Sequence, residues 1–151
     1  MTEAEFESLW KNLVMRVHGT EGPPLSKQER HFYAVNLLRG SVPRSGFIGY
    51  FENWSGREIA DAFEGLAALR LQSVLALLER ASRIVFEGRP IPIDSSPIAI
   101  FPDSLTEAEY DQAFKQMDEA LTPIEVELCE LDEQIWAALC DHADAHLDLR
   151  C

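Results

Sequence analysis

Apolar residues recur along this chain at intervals of three and four, the spacing of helices that bury one face. Several of the runs open with a hydroxyl residue followed three places later by Glu, a pairing that satisfies two orphan amides at a helix start. Thr2 and Glu5 precede Phe6, Leu9, Trp10, Leu13, Val14 and Val17, which form one buried stripe. Residues 19–24 break that pattern with Gly and Pro. Ser26 and Glu29 then open a second helix carrying Phe32, Tyr33, Val35, Leu37 and Leu38, and Gly40 with Pro43 predict its end. The run Gly46-Phe47-Ile48-Gly49-Tyr50-Phe51 reads as a short helix or tight turn packed in the core.

Periodicity resumes at Ile59, Ala62, Phe63, Leu66 and Leu69, and again from 72 to 86 with Val74, Leu75, Leu78, Ala81 and Val85, stopping at Gly88. Pro90, Pro92, Pro97 and Pro102 make residues 89–103 an extended, ordered loop over the helices. Thr106 and Glu109 cap a helix with Tyr110, Phe114, Met117 and Leu121 as its stripe. Thr122-Pro123-Ile124-Glu125 combines an N-cap, a proline at the first helical position and a capping acid, so a last helix is predicted from there, unbroken to about residue 149. The pattern predicts an all-α fold: one domain over residues 1–151, a compact bundle of about five to seven helices with a Pro-rich ordered loop.

Composition agrees with a globular chain: 46% of the 151 residues are hydrophobic and 26% charged. No stretch approaches the roughly 18 apolar residues of a membrane span. The start, Met1-Thr2-Glu3-Ala4-Glu5, has two acids and no basic flank before an apolar run, so no secretory signal is expected. Cys129, Cys140 and Cys151 form no disulfide-like pattern. The compartment expected is the cytoplasm, where they stay reduced.

Charge changes the picture. The net value is −13, which argues against direct binding to nucleic acid, because phosphates must be neutralised by Lys and Arg. Residues 1–102 are nearly balanced, with twelve acids and eleven bases. Residues 103–151 hold fourteen acids, with Lys115 and Arg150 as their bases. On an unbroken last helix, Ile124, Leu128, Leu131, Ile135 and Leu139 share the core sector. Glu127, Glu130, Glu133, Asp141, Asp144 and Asp148 share the opposite one, without the bases that would give favourable i,i+4 pairs.

Such a face either keeps the protein soluble or imitates the phosphates of a nucleic acid. From Glu127 to Asp148 it would rise roughly 32 Å, one acid per about 5 to 6 Å, against about one charge per 3.4 Å for a DNA strand. A second row, from Glu107, Asp111 and Asp118 of the preceding helix or from a symmetry mate, would have to complete it. Trp136, Cys129 and Leu147 lie on the flank of this helix, placed to seal a homodimer or to pack under a neighbouring helix.

Catalytic signals are missing. His142 and His146 have the i,i+4 spacing of metal ligands, with Cys140, Asp141 and Asp144 nearby, but two ligands make no site, so no metal or cofactor is expected. Cys140 and His142, two apart on a helix, point in different directions and cannot act as nucleophile and base. Neither a phosphate-binding glycine loop nor a nucleophile elbow is present. The reading is that the chain is not an enzyme.

Several separated segments resemble one family of small bacterial proteins, named for a member that acts as a DNA mimic. The resemblance is carried by Glu29-Arg30 with Phe32-Tyr33-Ala34-Val35, by Gly46-Phe47 followed by Tyr50-Phe51, Asn53 and Ser55-Gly56, and by Leu131-Asp132. It spans about residues 26–147 and departs at Arg44-Ser45, where the family usually shows Asn-Gly. It implies an all-helical fold, frequent dimers, and an acidic face that occupies the DNA-binding surface of a transcription factor. The function expected is therefore non-catalytic binding of a basic, DNA-binding partner; the alternative is an immunity or antitoxin protein neutralising a basic nuclease toxin.

Overall fold

Thr2, Ser26, Ser55 and Thr106 each accept a hydrogen bond from the amide three residues on, and the Glu at that third place bonds back to the cap amide. These reciprocal caps start α1 (Glu3–His18), α2 (Lys27–Asn53), α3 (Gly56–Ala68) and α5 (Glu107–Glu130). The remaining helices are α4 (Gln72–Val85) and α6 (Asp132–His146). The computed structural model describes residues 1–19, 22–94 and 98–148; Pro97, the predicted helix end at Leu149, Arg150 and Cys151 lie outside them. Among the described residues there are six helices and no strand, an all-α bundle as the periodicity predicts.

α2 is the hub, packed against α1, α3, α5 and α6. Its buried residues, among them Phe32, Val35, Leu38, Phe47, Tyr50 and Phe51, face several directions, as a helix enclosed by others requires. Phe6 of α1 bridges to α2 and α6, with ring centroids 5.1 Å from Phe32 and 4.2 Å from Trp136. Trp136 therefore packs under a neighbouring helix, one of its two predicted roles. The loop after α4 returns over the bundle: Ile98 is buried, and a side chain at Gly56 would run into the Pro92 carbonyl.

Two predicted boundaries are wrong. α2 does not stop at Gly40 and Pro43, because Leu37, Leu38 and Val42 stay buried while Gly40 and Pro43 both face solvent. The chain turns instead at Gly46, whose φ of 69° suits glycine, and helix resumes from Phe47 to Asn53. Likewise Thr122-Pro123 starts no helix. The Thr122 hydroxyl donates back to the Asp118 carbonyl at 2.8 Å, and Leu121, Ile124 and Leu128 continue one buried stripe across the proline. The break comes at Leu131, so the last helix is not unbroken: α5 ends at Glu130 and α6 begins at Asp132.

Candidate acidic interface

The break at Leu131 decides how the acids are arranged. Arg39 of α2 grips Asp132, the first residue of α6, through two hydrogen bonds of 2.7 and 3.0 Å, and its guanidinium lies 4.9 Å from the Trp136 ring. Leu131 and Asp132, the pair that carries part of the family resemblance, thus mark the joint between α5 and α6. The other part is structural too. The Glu125 carboxylate accepts the Phe47 amide at 2.9 Å and caps the second half of α2 where Gly46 bends it.

All nine candidate acids are exposed: Glu107, Asp111, Asp118, Glu127, Glu130, Glu133, Asp141, Asp144 and Asp148. At 3.6 residues per turn, Glu133, Asp141 and Asp144 fall on the side of α6 opposite Ile135 and Leu139, with a rise of about 17 Å between the outer two. α6 contains no Lys or Arg. Glu107, Asp111 and Asp118 form a second row on one flank of α5, also about 17 Å long. Glu127 points to the other side of that helix and meets Arg80 of α4 at 3.4 Å. Asp144 takes the Met1 ammonium at 3.1 Å. Asp148 follows the end of α6 and lines a small cleft with Arg16 and Glu29 of the amino-terminal helices. The expected single line of six acids is therefore divided between the end of α5, α6 and Asp148 beyond it. Glu107, Asp111, Asp118, Glu130, Glu133 and Asp141 have no ion-pair partner among the described residues.

His142 is buried, and its Nε2 lies 3.1 Å from the Gln28 carbonyl; burial lowers its pKa, with the Gln28 bond opposing. His146, one turn on, is exposed. Burial pushes the Cys140 thiol up, away from the thiolate a nucleophile needs. Among the described residues no group of three or more His, Cys, Asp or Glu is placed to hold a metal, and no helix is long and apolar enough to cross a membrane. The spacing assigns Glu125 to the cap of its own helix, whereas it caps Phe47; Arg39 is marked by no local spacing, and the Ser55–Glu58 cap has the same three-residue spacing as the others but is not among the sequence expectations.

No curated protein and no solved structure matches the chain. A family model, that of the DMP19-like protein, matches residues 23–149, which include α2 through α6 and the whole of both acid rows. With that span, the chain belongs to the DMP19-like family.

Proposed function

We propose that this protein is a non-catalytic binder whose exposed carboxylates occupy the DNA-binding surface of a basic partner such as a transcription factor. The observation that carries the reading is the outer side of α6, where Glu133, Asp141 and Asp144 project from a helix without Lys or Arg, Asp144 with the Met1 ammonium beside it. The row on α5 adds Glu107, Asp111 and Asp118, and Glu130, beside the joint, adds to the same field. Membership of the DMP19-like family supports a DNA-mimic role and a non-enzymatic protein. The toxin-neutralising alternative has no observation of its own in its favour.

The density of charge sets what such imitation can achieve. Three acids over about 17 Å is roughly half the linear density of one DNA strand. Steering and register follow from charge at that density; affinity needs further contacts.

The test uses purified DNA-binding proteins encoded beside this chain's gene. The complex should weaken steeply between about 50 and about 200 mM salt, and duplex DNA should compete for the same partner. A ternary complex, with DNA and this chain bound at once, would exclude the reading.

A further inference from the structure

From Glu107 to Ala120 α5 has no buried residue, and its core stripe is fully buried only from Leu121 onward. The stripe nevertheless continues through those turns as Tyr110, Phe114 and Met117, at i, i+4 and i+7 in phase with Leu121 and Ile124. Phe101 of the Pro-rich loop covers them in part, its ring centroid 5.2 Å from Tyr110 and 6.3 Å from Phe114. Tyr110 and Phe114 remain 40% and 38% exposed. Phe101 also lines a cleft of about 790 Å³ with Ile84 and Val85 at the end of α4 and Ala113 and Met117 of α5. Glu87 and Asp103 line it as well, against Arg89 as the base.

We infer that this overhang anchors the partner: the aromatic strip and the cleft beside it receive apolar side chains from a cationic amphipathic helix, whose Lys and Arg residues meet Glu107, Asp111, Asp118 and Asp103. The inference rests on the acidic-binder reading and deepens it, by naming the part of the surface and the kind of segment that docks there.

Charge chooses the occupant. Residues 107–120 hold five acids and Lys115 as their base. A second copy of this chain, itself at −13, would bring the same acidic rim against its own kind, and like charges facing each other oppose association. A neutral apolar segment would leave the carboxylates desolvated beside it without partners. A cationic amphipathic helix satisfies both the rings and the rim, with aromatic anchors at the centre and charges at the edge. It also supplies what sparse phosphate imitation lacks, a contribution that salt does not screen.

Two synthetic helical peptides of equal positive charge make the test, one built on Leu and Lys with an apolar face, the other with Ser in place of Leu. The Leu peptide should bind the intact chain roughly tenfold more tightly, keep that advantage at about 300 mM salt, and lose it in the Y110S/F114S double variant. Both replaced rings are exposed, and circular dichroism verifies the fold. Independently of any variant, NMR on the unsubstituted protein should show Leu methyl contacts to the Tyr110 and Phe114 rings. Equal binding of the two peptides would overturn the inference and leave the acidic-binder reading standing. Binding of neither would overturn both. An advantage that survives the double variant, methyl contacts elsewhere, or self-association through these rings in sedimentation would each overturn it as well.

Discussion

Glu125 of α5 caps a helix that begins 78 residues earlier in the sequence, its carboxylate accepting the Phe47 amide just past the bend at Gly46. The two residues are coupled twice over, because a Cβ at Gly46 would stand 2.9 Å from the same Glu125 oxygen. Gly46→Ala should therefore destabilise the protein, by about 1–3 kcal/mol for the positive-φ backbone alone and more for the crowding. Glu125→Ala should cost about 0.5–2 kcal/mol, the range for a lost helix cap. Urea unfolding of both variants and the double variant checks this: the double variant should be less destabilised than the two losses added, since removing Glu125 relieves the crowding. Strict additivity would mean that the cap and the bend are independent.

The joint between α5 and α6 is held differently. The Arg39 and Asp132 side chains are 23% and 49% exposed, so solvent screens their attraction even in a two-bond geometry. A double-mutant cycle with Arg39→Met and Asp132→Asn should give a coupling of no more than about 1 kcal/mol. Arg39→Met alone should lose more than the coupling, because it also removes the contact with Trp136.

Charge reversal separates binding from folding. Glu130→Lys with Asp141→Lys changes two exposed residues that have no ion-pair partner among the described residues. Unfolding free energy should move by no more than about 0.5 kcal/mol in either direction, while affinity for a basic partner falls and its salt dependence flattens. An unchanged affinity with the fold intact would reduce the acids to a solubilising surface.

His142 predicts a pH dependence. Burial lowers its pKa below the ordinary value of about 6.5. The folded protein then binds fewer protons at this site than the unfolded chain, so its contribution is present above about pH 6.5 and is lost as pH falls through the folded pKa. Melting temperatures of the parent and of His142→Leu between about pH 7.5 and 5 test the sign. The parent should lose more on acidification than the variant.

Much of the fold was legible because its signals are local. Thr2–Glu5, Ser26–Glu29 and Thr106–Glu109 are reciprocal bonds within single turns, and all three form as their spacing predicts. Proline signals a boundary at both Pro43 and Pro123, and the helix runs past each of them. At Pro123 the buried stripe runs on through Leu121, Ile124 and Leu128, and burial outweighs the missing amide bond; Pro43 faces solvent, and the chain turns three residues later at Gly46. The break at Leu131 has no local mark: neither Gly nor Pro stands near it, and its fastening comes from Arg39, 93 positions away from Asp132. The acids are individually legible as exposed, but their division between two helices follows from that break.

The caps and bends described above have a consequence for how new specificity can arise on this scaffold. The segments that mark the family are mostly buried or bonded within the fold: Phe32 and Phe47 in the core, Gly46 against Glu125, Ser55 capping α3, Asp132 in the grip of Arg39. The candidate acids are a separate set, exposed, six of them free of any ion pair among the described residues. Architecture and charge are thus written on different positions. The surface can be recut for another partner one side chain at a time, each exchange within about 0.5 kcal/mol of neutral for folding, while the frame that holds it stays the same.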